Sequence, residues 1–201
     1  MRGKGRGWPA GLAAVVLLAL AAGSAAAADT YTFHGLVSEA RPRAADFSLT
    51  AHTGKRVSLS DFGGKLRLLY FGYTHCPGIC PTTLAEANQA LRRLPPRQSA
   101  RVRLLLVSVD PARDTPERLA AYLAHFNPSF VGLTGTAEEV AKVAAAYGIY
   151  YRVVEGGSPT EYVVDHTSVI IVVDERGLVR LLLPYGTTAK DIAEDLGHLL
   201  R

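Results

Sequence analysis

The 201-residue chain is expected to fold as an α/β sandwich: a central mixed sheet flanked by helices, with an N-terminal β-hairpin. Three observations predict this. Residues 66–71 and 102–109 are nearly continuous apolar runs, as in strands covered on both faces. Each is followed by a segment with apolar residues at helical spacing. Near the end, residues 168–173 and 178–183 flank the tight turn Asp174-Glu175-Arg176-Gly177 and read as an antiparallel hairpin. A composition of 48% hydrophobic and 20% charged residues suits one domain with its own core.

Taken in order, residues 1–28 read as a signal peptide. Arg2, Lys4 and Arg6 make a positive start, residues 8–28 carry no charge, and Ala26-Ala27-Ala28 before Asp29 fits a small-residue cleavage site. The alternative is an uncleaved N-terminal membrane anchor, since the uncharged run approaches the ~20 residues that span a bilayer. The segment holds no cysteine for lipid attachment. Either way the domain at 29–201 is placed outside the cytoplasm, in the periplasm or on the outer face of the inner membrane. The formal charge of +4 owes three positive charges to that leader, so the mature domain is close to neutral and nucleic acid is excluded as a partner class.

Residues 31–37 alternate in part and form an extended approach. Residues 47–50 and 57–59 are short strands around His52-Thr53-Gly54-Lys55, the expected hairpin. The strand at 66–71 leads to Cys76 and Cys80, the only two cysteines. A helix is expected over 82–94, with Pro81 at its first position, where a missing N–H costs nothing, and Pro95-Pro96 as its stop. The strand at 102–109 ends at Asp110. Asp114 or Thr115 caps the next helix, and Pro116 opens it. Residues 131–133 make a short strand, 136–147 an amphipathic helix, 150–154 an extended segment, and Gly156-Gly157-Ser158-Pro159 a loop. Residues 162–164 lead to Asp165-His166-Thr167, and a helix over 188–200 closes the chain. Parallel strands joined by helices, then an antiparallel hairpin, is the order of a thioredoxin-like sandwich. The cysteines then lie at the carboxyl end of a central strand, where open α/β sheets carry their chemistry.

Cysteines at i and i+4 beside a helix start can bridge as a disulfide or converge on one metal ion. A structural disulfide closing so short a loop would stabilise little, which favours an active pair. The helix N-terminus favours thiolate, and thiolates select Cu(I) and Zn. Two ligands rarely close a site, so a third is expected among His34, His52, His75, His125, His166 and His198. His166 lies just before the strand at 168–173, at the point where thioredoxin-type folds place a cis-proline opposite the thiols. Spacing alone leaves it open between a third ligand and a histidine satisfied by the strand terminus. His75, adjacent to Cys76, points away from it and is expected to tune the thiols or be structural. The other four are expected on the surface or in loops. Asp110 is either a turn cap or a polar group near the thiols.

Three separated stretches, Gly72-Tyr73-Thr74-His75-Cys76-Pro77 with Cys80-Pro81, Ser108-Val109-Asp110-Pro111 with Arg113-Asp114-Thr115-Pro116, and Asp165-His166-Thr167, resemble the Sco/SenC family over roughly residues 33–200. The resemblance implies a thioredoxin-like fold, one copper ion per chain bound by Cys76, Cys80 and His166, and Asp110 as the polar residue beside the site. It implies a copper metallochaperone that delivers copper to, or reduces the cysteines of, the CuA site of cytochrome c oxidase. The CuA subunit is then the partner, with other periplasmic copper carriers or thiol reductases upstream. The family commonly has an acidic residue after the first Cys-Pro, where this chain has Gly78.

The alternative is an enzyme or sensor, a thiol-disulfide oxidoreductase using the Cys76/Cys80 redox pair. Three intervening residues and a histidine opposite speak against it, since thioredoxin-like reductases use two and a proline. A peroxiredoxin-type peroxidase would need Thr or Ser at the position of Tyr73. A Met-rich copper carrier is disfavoured by a single Met.

Overall fold

The computed structural model describes residues 31–158 and 161–201. The expected leader at 1–28 lies outside the described residues. The elements are β1 (Leu36–Val37), β2 (Ser48–Ala51), β3 (Arg56–Ser58), a 3-10 turn (Leu59–Phe62), β4 (Leu66–Gly72), α1 (Ile79–Arg93), α2 (Pro96–Ser99), β5 (Val102–Ser108), α3 (Pro116–Ala124), β6 (Val131–Thr134), α4 (Ala137–Ala146), β7 (Tyr151–Ser158), β8 (Glu161–His166), β9 (Val169–Val173), β10 (Val179–Pro184) and α5 (Ala189–Leu199).

Eight strands form one mixed sheet in the order β1-β10-β9-β4-β5-β6-β2-β3. β4, β5 and β6 run parallel. β9 joins β4 antiparallel, with Tyr70 opposite Ile170, and β10 returns against β9. All seven residues of β4 are buried, which is why its apolar run shows no alternation. The hairpin β2–β3 turns at Gly54, whose φ of +79° suits glycine. α1 lies against α5, and α3 packs on β6. That approach is close: a Cβ on Gly132 would sit 2.8 Å from the Leu119 Cβ.

Four local expectations change. α1 starts at Ile79 rather than Thr82, so Cys80 stands in its first turn and Pro81 occupies the third position. Proline is tolerated there because first-turn N–H groups have no intrahelical acceptor. The first helical bond runs from the Thr82 amide to the Gly78 carbonyl at 3.2 Å. Pro95-Pro96 does end α1, but Pro96 also opens the short α2, since proline suits the first helical position. Gly156, Gly157 and Ser158 belong to β7 rather than a loop, with a register irregularity between Glu155 and Ser158. Pro159 lies outside the described residues. Finally, β7 and β8 pair only with each other, as a two-stranded ribbon separate from the main sheet. His166 is the last residue of that ribbon's second strand, opposite Tyr151, and not part of a free loop.

Candidate metal centre

β4 ends at Gly72, and the chain then runs through Tyr73–Gly78 to the first turn of α1. Two anchors shape this loop. The fully buried Asp114 carboxylate accepts from the Thr74 amide at 3.0 Å, the Thr74 hydroxyl at 2.6 Å and the Ser108 hydroxyl at 2.7 Å. The buried Tyr73 hydroxyl accepts the Val164 amide of β8 at 3.1 Å. The loop is thereby fixed to the end of β5 on one side and to the ribbon on the other.

Cys76 is half-buried and Cys80 fully buried, both as free thiols. The Cys80 amide donates to Cys76 Sγ at 3.4 Å. His166 Nε2 lies 3.5 Å from Cys80 Sγ. The other ring nitrogen, Nδ1, lies 3.2 Å from the Thr167 carbonyl. A carbonyl can only accept, so Nδ1 carries a proton, and Nε2 is the nitrogen turned toward the sulfurs. The Tyr73 and Tyr70 rings stand edge-on to the imidazole, with centroids 6.0 and 6.3 Å away. One ligand atom from each of Cys76, Cys80 and His166 lies within 4.8 Å of the other two, so the three could hold a metal ion. Cys76 and His166 face a cleft of about 410 Å³ that Val163, Val164 and Ser168 also line, with the buried Cys80 behind them.

The two thiols differ sharply. Cys76 is brought down to about 3, first by the hydrogen bond from Cys80, then, against the opposing effect of burial, by His166 and the amides of Cys80 and Gly78. Cys80 is pushed up by that same bond to Cys76 and by burial. The metal-free pair therefore holds one proton, on the inner sulfur, with the anion on the outer one. Soft sulfur donors plus one imidazole are a donor set for Cu(I) or Zn, and no hard oxygen donor enters the group.

The remaining expected residues fall elsewhere. His75 Nδ1 lies 3.3 Å from the Thr74 hydroxyl and 4.0 Å from Asp114, and His75 is not part of the metal group. Burial, with Arg118 and Arg113 nearby, lowers its pKa. Of the histidines expected on the surface or in loops, His52 lies in the β2–β3 turn and His198 inside α5. His52 Nδ1 accepts the Gly132 amide at 3.0 Å, and His198, half-buried in α5, stacks on Tyr31 at 4.2 Å. His34 pairs with Glu194 at 2.9 Å in an exposed group that includes Asp191. His125 follows the last residue of α3.

Asp110 is buried and does not line the cleft. Its carboxylate accepts from the Tyr162 hydroxyl at 2.7 Å and pairs with Arg113. Arg113 in turn lies 5.8 Å from the centre of the Tyr73 ring. Asp114 does not cap α3. Thr115 does, its side chain accepting from the Arg118 amide, and Asp114 turns inward. Tyr73, Asp114, Arg113 and Tyr162 were not legible as functional residues. Tyr73, Arg113 and Asp114 do fall inside the family-like stretches, and an acid next to a threonine that already supplies the cap was a further signal for Asp114.

A family model described as SCO1/SenC matches residues 37–201. The human Protein SCO1 homolog, mitochondrial, is 42% identical over 132 residues, which is 65% of this chain and 44% of that protein. The chain spans about half the length of the curated relatives it matches. Among solved structures, Bradyrhizobium japonicum ScoI with copper bound has a TM-score of 0.72 at 36% identity, covering 79% of this chain and 99% of that one. The thioredoxin domain of a Bacteroides vulgatus thiol-disulfide oxidoreductase has a TM-score of 0.57 at 17% identity, covering 80% and 97%, and shows the thioredoxin-like fold alone.

Proposed function

The chain belongs to the SCO1/SenC family, and from that premise we propose that it is a copper metallochaperone that binds one Cu(I) through Cys76, Cys80 and His166. The observation that carries this is the convergence of two sulfurs and an imidazole Nε2 whose other nitrogen is already committed to the Thr167 carbonyl. Cu(I) favours thiolate and imidazole at low coordination number, and this group offers that set with no competing carboxylate. Copper is cargo here. It leaves by ligand exchange, a partner's thiolate replacing one of the three donors at the mouth of the cleft. The half-buried Cys76 is the donor an incoming ligand reaches first, because Cys80 is fully enclosed.

The recipient is the CuA subunit of cytochrome c oxidase. The copper-bound relative ScoI supports the cargo, and the three sequence stretches that resemble the family support the recipient. The domain at 29–201 works outside the cytoplasm, delivered by the leader at 1–28. Among the described residues no helix is long and apolar enough to cross a membrane.

Oxidation of the metal-free pair joins Cys76 and Cys80 as a disulfide, giving up two electrons to an external oxidant and releasing the one proton held on Cys80. Both sulfur donors are then lost, so thiol redox state governs copper occupancy. The test is a Cu(I) titration of reduced protein against a competing chelator. One equivalent is taken up, oxidised protein takes up none, Cys76→Ser or Cys80→Ser abolishes tight binding, and His166→Ala weakens it at least about tenfold. If His166→Ala binds as tightly as the parent, the ligand assignment fails.

One observation favours a second reading. A half-buried Cys76 whose pKa is lowered by the buried Cys80 beside it is the kind of pair with which a thiol-disulfide oxidoreductase starts. Metal-free reduced protein acting in this way reduces the disulfide of an apo CuA domain without copper, and Cys76→Ser stops it.

A further inference from the structure

The main sheet holds His166 from one side only, through β9, which begins three residues later. The thiols hang from β4 and α1, whereas His166 ends a ribbon with no strand pairing to that sheet. From its C-terminal side it is tethered through Thr167 and Ser168 to β9; along β8 its distance from the sulfurs is set by side chains. Along β8, Tyr162, Val164 and His166 face inward, and Val163 and Asp165 face solvent. Val164 is buried and its amide bonds Tyr73. Tyr162 meets a mostly buried ion pair, Asp110 with Arg113, whose side chains are 3% and 17% exposed.

The contacts among these three residues close on themselves. Arg113 Nη1 donates to the Tyr162 carbonyl at 3.1 Å. The guanidinium carbon lies 3.5 Å from the Tyr162 ring centre, in cation–π contact. The Tyr162 hydroxyl donates to the same carboxylate that Arg113 pairs with, at 2.7 Å. Asp110 follows β5, whose end is tied to β4 by the Val109 amide on the Gly72 carbonyl at 2.9 Å. The grip on Tyr162 and the root of the thiol loop therefore share one anchor. His166 is four strand residues further on, roughly 13 Å at ~3.3 Å per residue, so movement at Tyr162 is carried to the imidazole. The thiols have holds of their own besides, in Asp114 on the Thr74 segment and the first turn of α1.

We propose that Arg113 and Tyr162, closed on Asp110, are positioning residues that hold His166 against the two thiols and so set copper affinity. This rests on the copper reading above. None of the three touches the metal group; each acts through the register of β8.

The experiment compares Tyr162→Leu, Tyr162→Phe and Arg113→Gln, each alone and with His166→Ala. Two readouts are used: Cu(I) affinity by chelator competition, and hydrogen exchange of the β8 amides in reduced metal-free protein. Tyr162→Leu and Arg113→Gln are expected to lower Cu(I) affinity by about 10- to 100-fold, the usual effect of removing a group that orients a ligand. Tyr162→Phe keeps the ring over the guanidinium and retains most of the affinity. Combined with His166→Ala, Tyr162→Leu adds no further loss, because the clamp acts through His166. β8 amide exchange rises at least about tenfold while the core of β4 stays protected.

Additive losses in the double variant overturn the proposal, because the clamp would then act on the thiols or the whole fold. Unchanged β8 exchange in Tyr162→Leu overturns it whatever happens to copper. If the parent takes up no Cu(I), the copper reading fails, and the clamp stands or falls on exchange alone. Should Arg113→Gln not fold, the two Tyr162 variants carry the comparison.

Discussion

Cys80 Sγ and His166 Nε2 lie 3.5 Å apart although 86 positions separate them in the chain. Cys80 stands in the first turn of α1, and His166 at the end of a strand outside the main sheet. The site therefore has a half fixed by local structure and a half fixed by docking. The predictions below probe each half.

Cys76 should remain a reactive thiolate in acid. Its pKa is lowered to about 3, chiefly by the hydrogen bond from Cys80, so the anion persists as pH falls and is lost only near that value. An ordinary cysteine, with pKa ~8.5, loses thiolate about tenfold per unit below that pH. Alkylation of reduced metal-free protein at Cys76, followed by mass spectrometry, should keep a nearly constant rate from pH 8 to 5. Cys80, whose pKa moves the opposite way, should stay unmodified. A tenfold fall in the Cys76 rate per pH unit would refute the assignment.

Asp114→Ala should destabilise the fold by about 3 kcal/mol, because three donors lose their buried acceptor. Asp114→Asn keeps one acceptor oxygen and should cost less. Urea unfolding midpoints distinguish them. Equal, near-zero effects of both would mean that the carboxylate does not hold the Thr74 segment.

Gly72→Ala should disturb the thiols directly. The added Cβ would sit 3.0 Å from Cys80 Sγ and 3.1 Å from Tyr70 Cε1. Displacing either in a packed core costs about 1–3 kcal/mol, and the same shift moves Cys80 away from His166. Thermal unfolding and Cu(I) competition should both register the change. Retention of parental stability and affinity would show that the strand end yields without cost.

Gly78→Asp restores the acidic character common in the family at no steric expense, since a Cβ there meets nothing within 4 Å. Gly78 is the N-cap of α1, where aspartate is also accepted, so stability should change by no more than about 0.5 kcal/mol. A carboxylate near the cleft should tighten Cu(I) binding, by roughly less than tenfold for a solvent-screened charge. Weaker binding in a chelator titration would contradict this.

Much of the scaffold was legible in the chain. The unbroken apolar run of β4 announced a strand covered on both faces. Thr115 with Pro116 announced the start of α3, and Gly54 the hairpin turn. These signals are local, arising from propensity, capping and periodicity within a few residues. The start of α1 was misplaced because Pro81 fits any position of the first turn. The β7–β8 ribbon was missed as a unit because nothing local distinguishes a strand that joins the main sheet from one that pairs only with its neighbour.

The sequence alone determined that two thiols stand four apart at the end of a buried strand and the start of a helix, with helix-terminal polarity favouring thiolate. Through its three family-like stretches it also singled out His166 among six histidines. Only the tertiary structure decided that His166 reaches the sulfurs from a separate ribbon. It also decided that Thr167 leaves Nε2 free, that Asp114 turns inward to hold the loop, and that Asp110 meets Arg113 and Tyr162. The reason is physical. Strand and helix signals are short-range properties of the chain, whereas the approach of β8 to β4 is set by side-chain contacts between distant segments, and no local pattern encodes those.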